Sequence, residues 1–300
     1  MKSKLIVVCV VWLVILAVAV VLWRWLFAPA RQQAQQEQAQ KEHEEKLNRT
    51  GTEGRYKHKV VLRLDSFSGY AVLRSEAFRT ECANRGVLVH LVDDQGDYAG
   101  RFNALVRGDA QFAVFTVDSL IKASAAGKDL PATIISVLDE SHGADALVAD
   151  PAVYANIDTL RSHDTKFVVT AGSPSETLVH VISHNFGLPT PPPMVRLKSP
   201  DEVIAHYRAS PPGGRYAYAL WEPELSRILA GGKLKVLMDS SKLRGSIVDV
   251  LTVSRDYLLK NEEVAQVLVE SYFRAAFSVR SNMMALVSDD CRSQGQKVPE

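Results

Sequence analysis

Four short segments of the chain have the make-up of binding loops. They read Asp65-Ser66-Phe67-Ser68-Gly69-Tyr70, Phe115-Thr116-Val117-Asp118-Ser119, Ala171-Gly172-Ser173-Pro174-Ser175-Glu176 and Leu220-Trp221-Glu222-Pro223. Each joins a short apolar run to the start of a helical pattern, and each supplies small hydroxyls, an aromatic ring or both. A helix N-terminus presents free N–H groups, so loops of this kind can hold a polar solute. The same residue types also serve as ordinary N-caps. Any one segment alone reads more simply as a cap; four in one domain point to a shared cleft.

The cleft candidates are rich in acid. Asp65, Asp118, Asp139, Glu140, Asp145, Glu176, Glu222 and Asp249 lie in or near these segments, against only Arg101, His142 and Arg244 on the basic side. A buried carboxylate needs a partner. Two outcomes stay open: a ligand carrying an amine or protonated ring, or acids that pair internally with Arg101 and Arg244. A nitrate or sulfonate ligand stays open as well.

Other chemistries find little footing. Gly172-Ser-Pro-Ser-Glu176 has Glu where a nucleophile elbow has its second glycine. His180 and His184 share a helix face, but H-x-x-x-H lacks the zinc-protease glutamate and a third ligand. The three cysteines, Cys9, Cys82 and Cys291, form no CxxC; Cys82 and Cys291 read as small buried hydrophobes rather than as a disulfide. With 35 basic and 34 acidic residues, the chain has no electrostatic footprint for nucleic acid. We expect no enzyme, no metal and no cofactor.

The elements that must position these loops alternate. Strands are expected over 60–64, 87–92, 111–115, 132–138, 166–170, 194–197, 216–220, 234–239 and 248–254. Helices are expected over 69–85, 98–107, 117–126, 175–186, 200–209, 222–230, 256–259 and 262–287. That alternation argues for βαβ units and a mostly parallel α/β architecture in two consecutive halves. Crossovers between the halves are expected near 144–150 and 244–251.

Ahead of this domain, Leu5 to Trp23 carries no charge. A helix of that length reaches about 28 Å, enough to span a bilayer core of about 30 Å. Lys2 and Lys4 before it favour a cytoplasmic N-terminus. A cleaved signal peptide with Ala28-Pro29-Ala30 as its site is the alternative, but the run is long for one and Trp-Arg-Trp intervenes. We read 1–30 as a transmembrane signal anchor in the inner membrane and 31–55 as a polar, semi-helical stalk. Residues 56–287 are the binding domain, in the periplasm or extracellular space, and 288–300 a C-terminal tail.

Several stretches resemble the nitrate/sulfonate/taurine-type family of ABC-transporter substrate-binding proteins, which includes binders of thiamine precursors. They are Ser68–Leu73, Arg101 with Ala104–Gly108, Gln111–Thr116, Leu138–Leu147, Gly172–Leu178, Tyr218–Pro223 and Gly245–Leu251, with Trp221-Glu222-Pro223 the most distinctive. The likeness runs from about residue 58 to 285, and its motifs are diffuse. It implies a two-lobed periplasmic-binding-protein fold of type II, with lobe 1 over about 56–145 and 246–287 and lobe 2 over about 146–245. It further implies ligand contacts at Ser68, Gly69, Tyr70, Thr116, Ser173, Ser175 and Trp221, to which the acid inventory adds Asp139 and Glu222. The partners so implied are a small-molecule ligand and an ABC permease. The alternative is a membrane-anchored sensing or scaffolding ectodomain of the same fold. The cysteine-rich motif of the family's precursor synthases does not occur, and a helical anchor departs from the usual free or lipidated form.

Overall fold

Strand β1 (His58–Leu64) alternates buried Val60, Leu62 and Leu64 with part-exposed neighbours, the period-2 pattern of a strand packed on one core. In the computed structural model, which describes residues 56–125, 130–162 and 164–294, this strand starts the first of two sheets. It pairs in parallel with β2 (Val87–Asp93) and β3 (Phe112–Thr116). Parallel neighbours need crossover connections. These are supplied by α1 (Ala71–Arg74), α2 (Glu76–Asn84) and α3 (Tyr98–Arg107). After α4 (Val117–Ser124) comes β4 (Ala132–Glu140), and the much later β10 (Val248–Ser254) inserts antiparallel between β3 and β4. The order is β2-β1-β3-β10-β4.

The second sheet holds β5 (Asp145–Ala149), β6 (Lys166–Thr170), β7 (Met194–Leu197), β8 (Tyr216–Trp221) and β9 (Lys235–Asp239) in the order β7-β6-β8-β5-β9. Helices α5 (Pro174–Asn185), α6 (Pro200–Ala209) and α7 (Glu224–Leu229) connect its strands. Strand β5 is buried along its whole length, because its two faces pack on separate apolar clusters: Leu147 and Ala149 on one, Ala146 and Val148 on the other. The chain closes with α8 (Arg255–Leu258), α9 (Glu262–Val279) and α10 (Met283–Ser293) against the first sheet's lobe.

Two segments cross between the sheets, 141–144 and 240–247, and they bond to each other. The Ser240 hydroxyl accepts from Gly143 N at 2.7 Å and lies 2.8 Å from the Ser141 hydroxyl; Ser141 N donates to Ile247 O at 3.0 Å, and Gly245 N to Glu140 Oε1 at 2.7 Å.

Three readings of the sequence are corrected here. Residues 145–149, expected in a crossover, are strand β5. The helix expected over 69–85 breaks at Ser75, whose side chain instead caps α2 by accepting from Phe78 N. The helix expected through 287 ends at Val279, and α10 carries helix on to Ser293, into the segment read as a tail. Its reason is a long-range contact. Buried Arg74 donates to both carboxylate oxygens of Asp290 at 2.7 Å each, which ties α10 to α1. Cys82 and Cys291 are buried and free. The anchor over 1–30 and the stalk over 31–55 lie outside the described residues. Among the described residues no helix is long and apolar enough to cross a membrane.

Candidate functional site

The strand registers bring the expected residues into two facing rows. In the first lobe Asp249 stands opposite Thr116 on β3 and Asp139 on β4, so three polar residues cross the sheet where β3 ends. In the second lobe Asp145 stands opposite Trp221, where β8 ends. Both rows sit at carboxyl ends of parallel strands, next to the crossovers. In open α/β sheets that is where ligands bind.

Ser68, Gly69 and Tyr70 form a single 3-10 turn ahead of α1. A Cβ on Gly69 would stand 2.9 Å from Asp139 Oδ2 and 2.4 Å from the Phe67 ring, so the turn packs against Asp139 only because residue 69 is glycine. Tyr70 is buried edge-on to Phe67, with centroids 5.1 Å apart, and donates its hydroxyl to Asp249 Oδ1. Burial and the neighbouring Asp249 push the Tyr70 phenol well above its usual range.

The lobes touch along one edge of this region. From lobe 1, Gly96 at φ +78° and Tyr98 meet Trp221: the Tyr98 and Trp221 rings lie edge-to-face at 6.4 Å, and a Cβ on Gly96 would reach the indole at 3.4 Å. A second contact joins α4 to α5. Lys122 Nζ bonds the Thr177 hydroxyl at 2.5 Å, and that hydroxyl donates in turn to Asp118 Oδ2. Trp221 is thus buried between the lobes.

Of the other expected contacts, several are occupied internally. Thr116 and Ser119 form the reciprocal cap of α4. The Ser173 hydroxyl turns back to Thr170 O at 2.7 Å. Glu222 is turned toward α7, where its carboxylate accepts from Ser226 N at 3.1 Å and from the Ser226 hydroxyl at 3.0 Å. Ser175 differs: it is fully buried and its hydroxyl has no partner among the described residues.

Arg101 is likewise spent. It is wholly buried, bonded to Asp65 at 2.8 Å, to Asp94 at 2.5 and 2.8 Å and to Val114 O at 2.6 Å, with Tyr98 stacked on it. Glu176 is bound by Arg196 and by Gly172 N at 2.8 Å; burial works against its charge, but these partners hold its carboxyl below the usual range.

Of the remaining acids, Asp145, Asp249 and Asp139 form no salt bridge among the described residues, whereas Glu224 has Arg227 at 3.4 Å. Asp145 accepts from the Ser141 hydroxyl at 2.6 Å through Oδ2, while its Oδ1 has no partner among the described residues. Burial, with Asp118, Asp65 and Asp139 nearby, pushes it up to about 7. Asp249 is also buried and held well above the carboxylate range by burial first and then by Asp145 and Asp139, despite the Tyr70 bond. Asp139 is raised by burial too. Glu224, at the start of α7, is pushed by burial to about 7, and its Oε2 is unpartnered among the described residues. Burial beside other carboxylates disfavours the charged form and raises a carboxyl's pKa, and a nearby positive charge or donor lowers it again.

Sequence reasoning did not single out Gly96, Tyr98, Ser141, Ser240 or Glu224. Tyr98 and Gly96 reach Trp221 only through the tertiary fold, and no local pattern marks them. Among the described residues no group of His, Cys, Asp or Glu is arranged to hold a metal ion.

No protein-family model matches the chain, and no curated protein sequence does either. Solved structures do match. The periplasmic aliphatic sulphonate binding protein SsuA from Escherichia coli is similar at TM-score 0.63 and 20% identity, over 81% of this chain and 80% of that one. The alkanesulfonate-binding protein SsuA from Xanthomonas axonopodis pv. citri, bound to MOPS, gives 0.65 at 16% identity, over 80% of each chain. The periplasmic nitrate-binding protein NrtA from Synechocystis gives 0.63 at 14%, over 79% of this chain and 70% of that one. The two-lobed periplasmic-binding-protein fold is therefore shared with sulfonate- and nitrate-binding proteins.

Proposed function

We propose that the chain is an extracytoplasmic solute-binding protein, which captures a small molecule between its lobes and hands it to an ABC importer. The observation that carries this reading is mechanical. Two α/β lobes joined only by two short, mutually bonded crossovers can rotate about them, and their facing edges carry aromatic and orphaned polar groups. Hinge closure absorbs its motion in a few residues at element ends, here 141–144 and 240–247. Solved structures of similar fold, among them proteins named as periplasmic sulphonate- and nitrate-binding proteins, support the same reading.

Residues proposed to meet the solute are Ser68, Gly69 and Tyr70 from lobe 1, Ser175 and Trp221 from lobe 2, and Asp139 beside the Gly69 turn. Thr116 and Ser173 would shape the wall through their backbone, since their hydroxyls are engaged. An anchor within 1–30 and a stalk over 31–55 would hold the domain near a permease.

A thermal-melt screen of the full chain in detergent against small metabolites tests the binding step. A ligand at 100 times its dissociation constant adds about 2.7 kcal/mol of stability. Delivery is tested by asking whether the liganded protein stimulates ATP turnover of a reconstituted permease and ATPase. A ligand that raises the melting temperature without any such stimulation would favour a sensing ectodomain instead.

A further inference from the structure

We infer that the solute is a small organic cation that presents N–H donors to Asp145, Asp249 and Asp139 at the hinge end of the cleft. The inference rests on the solute-binding reading and sharpens it, since the solved structures of similar fold include proteins named for binding sulfonates and nitrate.

The charge inventory drives it. Asp139 and Asp249 are direct cross-strand partners, and Asp145 begins the strand that leaves the adjoining crossover. None of the salt bridges among the described residues involves any of the three. Arg101, one of the few basic residues near the cleft segments, is fully committed to Asp65 and Asp94. A second observation is independent of the cluster's composition. Asp145 is 2% exposed, yet its Oδ1 has no hydrogen-bond partner among the described residues, and neither does Asp118 Oδ1. Buried carboxylate oxygens left this way lose the interactions water would have given them. A protonated amine supplies both the missing donor and the missing charge.

The features that would suit an oxyanion are already answered from within. The N-terminus of α4 carries Asp118 in its first turn and that of α5 carries Glu176, so each helix dipole meets a carboxylate of its own chain. Glu176 also takes the N–H of Gly172. Trp221, at the lobe boundary, adds an aromatic wall, and ring faces attract cations rather than anions.

The test is isothermal calorimetry on the full chain in detergent with four probes: putrescine, agmatine, methanesulfonate and nitrate. Putrescine or agmatine is expected to bind at neutral pH with release of protons, read from the dependence of the heat on the buffer's ionisation enthalpy. Asp145→Asn, nearly isosteric, is expected to weaken that binding by at least about tenfold and to abolish most of the proton release. Wild-type proton release needs no variant, so the inference stays testable if Asp145→Asn misfolds. Binding of methanesulfonate or nitrate with none of the amines overturns the cation assignment and leaves the solute-binding reading standing. Amine binding with no proton release and no loss in Asp145→Asn also overturns it, since the amine then sits elsewhere. Binding of none of the four overturns it for these amine classes, and the solute-binding reading is then decided by lobe closure alone.

Discussion

The phenol of Tyr70 donates to Asp249 Oδ1 across 179 residues of sequence. One residue sits in the turn before α1, the other on the last strand, and both are buried. The bond therefore ties the returning chain to the turn ahead of α1. Tyr70→Phe keeps the ring against Phe67 and removes only the donor. It is expected to lower stability by about 1–3 kcal/mol, the cost of leaving a buried acceptor unsatisfied. Chemical denaturation of wild type and variant checks this; a change within error would mean the phenol carries no weight.

Arg74 and Asp290 form a second long-range tie, bidentate and buried. Asp290→Ala removes the paired carboxylate and leaves the buried guanidinium only the Asp65 and Phe67 carbonyls, each at 2.7 Å. A loss of about 3–5 kcal/mol is expected, and amide exchange should rise first in α10. If stability drops but α10 exchange is unchanged, the ion pair does not hold the helix.

Trp221 is where sequence and structure bear on one another most directly. The family likeness implies a ligand contact at Trp221, and the residue lies buried between lobes against Gly96 and Tyr98. Trp221→Ala is expected to weaken solute binding more than tenfold while costing less than the roughly 3–5 kcal/mol of a core truncation, because opening the lobes can wet the gap. Unchanged affinity together with a full core-sized loss would remove Trp221 from the site.

The raised acids set a pH dependence. Asp145 and Glu224 lie near 7 and Asp93 near 6, each lifted chiefly by burial. Around Asp145 stand Ser141, Asp118, Asp65 and Asp139; around Glu224 Arg227, Asp201 and Asp65; around Asp93 the Gln95 N–H, Asp65, Asp94 and Arg74. Their folded values exceed the unfolded ones, so the stability they contribute is full below about pH 4 and is lost as pH rises to about 7. The unliganded protein is expected to melt at lower temperature at about pH 8 than at about pH 5, and Asp145→Asn should flatten the slope. A melting temperature that rises steadily over that range would contradict it.

Much of the fold was legible because its signals are local. The apolar runs at Val60–Leu64 and Lys166–Thr170, the capped starts at Asp97 and Ser199 and the Pro200 at a helix's first turn all act within a few residues. What was missed depends on distant partners. Strand β5 looks like any short apolar link until β8 and β9 flank it. Helix α10 depends on Arg74 far upstream, and the burial of Asp145 depends on the elements packed around it. The acids themselves were visible in the sequence; which of them lacked a base was a question of packing.

The central claim is that the two lobes close on a solute. Spin labels at exposed Arg107 in lobe 1 and Lys233 in lobe 2 would report it through the interlobe distance distribution, recorded with and without the low-molecular-mass fraction of a metabolite extract. The account predicts two populations, with the extract shifting weight to the shorter distance. A single distribution, unchanged by the extract, would contradict it.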